Sequence, residues 1–375
     1  MTKVIFIHNT ALGFVTVSRG IEAACGRRAD IEAVHLSPPM PWWVKVAAAQ
    51  TPVNLLGYDY HTARLSLAWA AHLKRVLSPP GVLDGVGVVH VLSQQRGAIA
   101  RWLRSRGVPC VVNIDSTDAV WASEFGYCTA RPDLNRLVEA QTLRAASAVA
   151  CWSRWAANSV QRDYGVPAER VFLHRPCEGP FTTARPPGRR AGGLLRIVFV
   201  GNDWERKGGP RVLGWHQQRW VGKAEFHVCS RTAPRDDSCR DVVWHGGVPH
   251  DRLINEVLPT MDVLVMPTIR DTFMISAQEA QAAGLAVVTS RIAGLQELIV
   301  DGVTGVLAAP SDDAAFIDAV EGMISDEGRM EAMCHAASRH AHTSLNGRVW
   351  YDHLLDQLVA VSKGEAVTFE PSSAD

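Results

Sequence analysis

The sequence predicts an α/β protein made of two doubly wound parallel sheets. Three observations carry this. Short, continuously apolar runs alternate with longer stretches of helical periodicity. The alternation breaks once, over the Pro-, Gly- and Arg-rich stretch 182–193, and restarts at once with the apolar run Leu195–Val200. A chain of 375 residues with 47% hydrophobic content is long enough to fill two cores.

In the first half the runs Val4–His8, Val88–Leu92, Cys110–Ile114, Ala148–Trp152 and Val171–His174 read as strands. They lack alternation because parallel strands are covered on both faces. Helical patterns lie between them over Gly97–Ser105, Leu134–Ala146 and Trp155–Tyr164. In the second half Leu195–Val200, Ala224–Cys229, Val263–Met266, Ala286–Thr289 and Val306–Ala308 read as strands. The helices there are expected over Pro249–Leu258, Ala277–Ala283, Ala314–Ser325, Met330–Ala341 and Gly347–Ser362. The expected division is a first domain over 1–185, a linker over 186–193, and a second domain over 194–345. A terminal helix over 346–364 and a disordered polar tail over 365–375 follow.

Lys plus Arg and Asp plus Glu both number 38, and this balance argues against a polyelectrolyte partner such as nucleic acid. The cysteines form no C-x-x-C pair and read as reduced thiols of a cytoplasmic protein. MTKVIFIH is too short an apolar run for a signal peptide, and no run is long enough for a membrane span. The Pro41-Trp42-Trp43 cluster reads either as aromatics packed on the core, as part of an acceptor pocket, or as a peripheral membrane contact.

Ligands of doubly wound sheets bind beyond the carboxyl ends of the strands, so two such sheets facing each other would hold a ligand in the cleft between them. Two segments carry chemistry at such ends. In Phe199–Pro210, Gly201 turns the chain after a strand, and Arg206-Lys207 stand where the next helix opens. A guanidinium fork and a mobile ammonium suit phosphate oxygens there, although exposed cations are often only solvated. In Met266–Pro310 a strand stops at Pro267, and a loop carries Asp271 and Phe273. Ser276 and Glu279 then open a helix. The free N–H groups and positive dipole end of that helix suit a diphosphate. Asp271 and Glu279, eight residues apart, could accept bonds from sugar and ribose hydroxyls. Equally, Ser276-x-x-Glu279 reads as a capping box and Asp271 as a turn residue.

The ordered set Gly201…Arg206-Lys207-Gly208, His245-Gly246-Gly247-Val248, Asp262-Val263-Leu264-Val265-Met266-Pro267-Thr268, Asp271-x-Phe273…Glu279-Ala280…Gly284 and Gly294-Leu295-Gln296-Glu297…Asp301-Gly302-x-x-Gly305 resembles the retaining GT-B glycosyltransferases of family 4. The first half resembles them in general pattern, with Trp152-Ser153-Arg154-Trp155-Ala156 and Tyr164-Gly165-Val166. The resemblance implies two Rossmann-like domains facing a cleft, a nucleotide-diphosphate sugar as donor, and transfer with retention to a glycan, a lipid-linked sugar or a small molecule. It implies that Arg206 and Lys207 neutralise the diphosphate, that Asp271 contacts the transferred sugar, and that Glu279 holds the ribose. Phe273, Met274, Ile275 and Ser276 would line the sugar and phosphate, and Val248 would lie near the base.

The sequence departs from the family in several places. Asp271 replaces the usual Glu, and Met274 stands where Gly is usual. Asp115 follows the strand Cys110–Ile114 where members often place a donor-contacting His. Asp115 reads either as a hydroxyl-binding or acceptor-assisting carboxylate, or as a loop or capping residue. Gly13 is the candidate for close approach to the diphosphate after the first strand. No D-x-D triplet occurs, so neither a metal nor another cofactor is expected. An epimerase of the same fold and a non-catalytic nucleotide-sugar binder are the competing readings. A dehydrogenase is disfavoured because no G-x-G-x-x-G follows the first strand.

Overall fold

The computed structural model describes residues 1–9, 13–49, 60–126, 133–177 and 193–371. The chain divides into two compact units. Unit 1 comprises Met1–Pro176 with Gly347–Asp375, and unit 2 comprises Cys177–Asn346. Most of the stretch expected to be a linker lies outside the described residues.

Unit 1 runs β1 (Thr2–Ile7), α1 (Phe14–Cys25), β2 (Ile31–Leu36), α2 (Trp42–Ala48), α3 (His61–Leu77), β3 (Val86–Leu92), α4 (Gln94–Gly97), α5 (Ala100–Ser105), β4 (Cys110–Ile114), α6 (Asp118–Phe125), α7 (Leu134–Ala145), β5 (Ala148–Cys151), α8 (Arg154–Tyr164) and β6 (Val171–Leu173). Its six parallel strands lie in the order β2-β1-β3-β4-β5-β6. The apolar runs became strands because β4, β5 and β6 are buried along their whole length. Strand order reverses beside β1, so the crevice beyond β1 and β3 is where such a sheet takes ligands.

Unit 2 runs β7 (Leu195–Val200), α9 (Gly209–Trp215), β8 (Ala224–Cys229), β9 (Val242–Trp244), the helical turn α10 (His250–Arg252), β10 (Val263–Met266), α11 (Ile275–Ala282), β11 (Ala286–Ser290), β12 (Gly305–Ala308), α12 (Asp313–Ser325) and α13 (Glu327–Thr343). The parallel order is β12-β11-β10-β7-β8-β9, and the reversal falls between β7 and β10.

The last helix, α14 (Gly347–Ser362), belongs to unit 1. Arg27 donates to Asp352 (3.0 Å) and Arg28 to Asp356 (2.6 Å). The Tyr351 ring covers Gly20 of α1 so closely that a Cβ there would lie 2.2 Å from it. Over its described residues, 365–371, the polar tail is held on unit 1, where composition predicts disorder. Leu173 N–H donates to Phe369 O (2.7 Å), Val367 N–H to Glu169 O (3.3 Å), and Arg154 pairs with Glu370. Composition misleads here because backbone groups at the β6 edge capture the segment irrespective of its side chains.

Trp42 and Trp43 open α2. Trp43 packs edge-on to His72 under Arg75, whereas Trp42 is 75% exposed. No helix among the described residues is long and apolar enough to cross a membrane. The described cysteines form no disulfide with one another; Cys128 lies outside the described residues.

Candidate active site

Unit 2 gathers its chemistry at the point where strand order reverses. Gly201 follows β7, and a tight loop leads to Gly208 before α9. Gly208 has φ +83°, and a Cβ there would lie 2.4 Å from the Pro267 carbonyl oxygen. Only glycine meets both conditions, so it lets the loop after β7 press against the loop after β10. The contact is sealed by hydrogen bonds to Arg206 O from Ile269 N–H (3.1 Å) and Thr268 Oγ1 (3.3 Å).

This seal brings Arg206, Lys207 and Asp271 together. Lys207 Nζ lies 3.4 Å and Arg206 Nη1 3.7 Å from Asp271 Oδ2. Both exceed the 2.7–2.9 Å of a charge-assisted hydrogen bond. Oδ2 is buried without a hydrogen-bond partner, while Oδ1 accepts from Thr272 N–H (3.0 Å). Arg206 is held in place by Asp203 (2.6 Å to Oδ2) and by the Arg270 carbonyl. The Lys207 stem lies over Gly201, where a Cβ would come within 2.5 Å of Lys207 Cδ.

The helix α11 starts at Ile275, with Met274 as the capping residue and no side-chain cap. The capping-box alternative is therefore not realised. Ser276 Oγ faces Met266 Sδ (3.7 Å), and Glu279, only 4% exposed, meets His250 Nε2 through Oε1 (2.8 Å). Met274 has φ −91° and ψ 95°, which any residue adopts, and its side chain is buried. Replacing the usual Gly thus requires no unusual backbone path. Phe273 is buried, Ile275 and Ser276 are half-buried, and Val248 is half-buried two residues before His250. Sequence reasoning missed His250, because nothing local marks a histidine whose partner lies 29 positions away.

Gly13 and Asp115 belong to unit 1. Gly13 stands at the N-terminus of α1 with φ −63°, so it uses no glycine-only conformation. Asp115 follows β4, and the cap of α6 is Thr117, which accepts from Val120 N–H. Asp115 instead lines a cavity of about 310 Å³ with Phe14, Ser93, Gln94, Ser116, Asp118, Trp121 and Asn135 among its walls. Gln94 Nε2 donates to Asp115 Oδ1 (3.3 Å), and Trp121 Nε1 to Ser116 Oγ (2.9 Å). Ser93 holds φ +110°, a strained conformation of the kind that clusters at ligand sites. Behind the wall, Glu139 accepts from Asp118 N–H (2.8 Å) and from the Tyr164 hydroxyl. Burial, reinforced by the Asp118 carboxylate, pushes the Glu139 pKa well up. Trp42 and Trp43 do not line the cavity.

His8, Glu22 and His35 bring three ligand-capable side chains together near the end of β1. His8 Nε2 and His35 Nδ1 are engaged with each other (2.8 Å), and the buried His8 Nδ1 lacks the acceptor that a metal-bound imidazole normally uses.

A family model described as glycosyl transferases group 1 matches residues 195–326, and one described as glycosyl transferase 4-like domain matches residues 13–177. The chain is 28% identical over 327 residues to D-inositol 3-phosphate glycosyltransferase 1 of Catenulispora acidiphila, covering 76% of this chain and 73% of that one. It is 27% identical over 291 residues to the D-inositol 3-phosphate glycosyltransferase of Xylanimonas cellulosilytica, covering 69% and 68%. Among solved structures it is similar to sucrose-phosphate synthase of Thermosynechococcus elongatus, with TM-score 0.70, 17% identity and coverage of 96% and 100%. It is also similar to Anabaena HepE in complex with UDP-glucose, with TM-score 0.67, 12% identity and coverage of 96% and 100%. Two six-stranded parallel sheets flanked by helices, matched by these structures, make the fold GT-B. With both halves matched and the motif residues gathered at the β7–β10 switch point, the chain belongs to the group 1 glycosyltransferases of family 4 type.

Proposed function

We propose that the chain transfers a sugar, with retention and without a metal ion, from a nucleoside-diphosphate sugar to a hydroxyl-rich acceptor. The observation that carries this reading is the buried, unbonded Asp271 Oδ2 facing Arg206 and Lys207. Two cations and the uncapped N-terminus of α11 supply the field a diphosphate needs, and the vacant oxygen supplies an acceptor for a sugar hydroxyl. Anabaena HepE, a protein of this fold, binds UDP-glucose, which supports a nucleotide-sugar donor.

In this reading the bond from sugar C1 to the phosphate oxygen breaks with its electron pair leaving on the diphosphate. Lys207, Arg206 and the α11 amides stabilise that charge. The acceptor oxygen attacks C1 on the face the phosphate leaves, and its proton passes to the departing phosphate oxygen. Glu279 holds the ribose and Val248 borders the base. Gly201 leaves room for the Lys207 stem. In unit 1, the cavity around Asp115 is the candidate pocket for the acceptor. Carboxylate, amide and hydroxyl groups flanked by Phe14 and Trp121 suit a polyol ring.

A thermal-shift screen against UDP-, GDP-, ADP- and dTDP-sugars tests the donor, because a ligand that binds only the folded state raises the midpoint. The stabilising donor is then offered with a polyol panel and the anomeric configuration read by NMR. One donor class is expected to shift the midpoint and give an axial-to-axial or equatorial-to-equatorial product. No shift with any donor, or an inverted product, rules the proposal out.

A further inference from the structure

We infer that His250 is a positioning residue for nucleotide recognition: it fixes Glu279 so that the carboxylate reads the ribose hydroxyls. The inference rests on the reading of Glu279 as the ribose-holding group.

Glu279 lies in the second turn of α11 and is almost fully buried. A carboxylate in such surroundings needs donors, and one left to rotate would not present a fixed oxygen to a ligand. The His250 ring donates from Nε2 to Oε1 at 2.8 Å and sets the rotamer. A carboxylate has about four lone-pair sites, so this bond leaves capacity for a sugar hydroxyl.

The chain path adds a second consequence. His250 opens α10 directly after Val248 and Pro249, and Pro249 is extended with φ −56° and ψ 142°. Only one residue, with its φ locked by the pyrrolidine ring, therefore separates the side chain bordering the base from the one that orients Glu279. Base and ribose recognition are built on one short rigid segment, and a change in either is transmitted to the other.

The test uses the full chain and calorimetric titration with UDP, GDP and ADP, each beside its 2′-deoxy and 3′-deoxy counterparts. Wild type is expected to bind one ribonucleotide about tenfold or more tightly than a deoxy form, tenfold being about 1.4 kcal/mol. His250→Ala is expected to weaken the ribonucleotide to near the deoxy value and leave the deoxy form little changed. The ratio is then expected to collapse, as is expected of Glu279→Gln. His250→Gln, which keeps an N–H at a similar reach, is expected to restore much of it.

A wild-type ratio retained in His250→Ala, or equal weakening of both forms, overturns the inference while leaving the donor site intact. Equal binding of ribo and deoxy forms by wild type overturns the ribose role of Glu279 and the inference with it. Failure of wild type to bind any of the nucleotides overturns the donor-site reading, and the inference falls too.

Discussion

Lys207 Nζ stands 3.4 Å from Asp271 Oδ2, at a distance that pairs their charges without satisfying the oxygen. The relationship exists because Gly208 lets two loops from neighbouring strands touch. It ties a cation suited to a leaving group to a carboxylate suited to a sugar.

Lys207→Ala is therefore expected to lower kcat by roughly 10²–10³, the usual effect of removing one preorganised charge stabiliser. The side chain is 19% exposed and its ion pair is long, so the melting temperature is expected to change little. Single-turnover rates and calorimetry on the same preparation check this. Transfer at the wild-type rate removes Lys207 from the mechanism.

Charge on the departing diphosphate is assigned to Arg206, Lys207 and the α11 amides, so exhaustive EDTA treatment is expected to leave turnover within about twofold. Adding magnesium back is expected to change nothing. A strong loss restored by a divalent ion would show that the cations and amides are not sufficient.

Acid is expected to destabilise unit 1 at a mild pH. Burial, reinforced by other histidines, holds His90 at about 3, His8 at about 4 and His174 well below 6.5; burial also holds His353 at about 4, against nearby groups that raise it. Between those values and 6.5 the unfolded chain binds more protons than the folded one. The contribution is thus complete above pH 6.5 and lost as pH falls toward 4, at up to ~1.4 kcal/mol per pH unit per histidine. Melting temperatures across pH 7.5 to 4.5 are expected to drop steeply below 6.5, and less steeply in His90→Leu. A variant with the wild-type slope would mean that His90 is not among the groups responsible.

Gly20→Ala is expected to destabilise unit 1 by about 1–3 kcal/mol, since the new methyl enters the Tyr351 ring. Hydrogen exchange across α14 would register the loosened docking. Adding Tyr351→Ala removes the clash and is expected to recover part of that exchange protection. Unchanged protection in the single variant would mean that the helices separate without cost.

Much of the fold was legible because parallel strands buried on both faces leave a continuous apolar run. Cys110–Ile114, Leu195–Val200, Ala224–Cys229 and Val263–Met266 stand where their apolar runs place them. The strands missed are edges. Ile31–Leu36 carries Glu32 and His35 among exposed positions, and Val242–Trp244 has only three residues, none buried. The motif residues of unit 2 were legible through their order, and the structure brings Arg206, Lys207 and Asp271 to one point. The partner of Glu279 and most of the unit 1 cavity were not. Such contacts join distant segments whose meeting depends on packing rather than on local pattern.

The docking of α14 and of the segment through Pro371 onto unit 1 has a bearing on how the chain is made. Unit 2 emerges whole from the ribosome while its neighbour still lacks the helix that covers α1 and the strip that pairs with β6. The first half of the polypeptide is therefore the last to be finished, and a nascent chain stopped at Asn346 leaves Gly20 and the β6 edge bare.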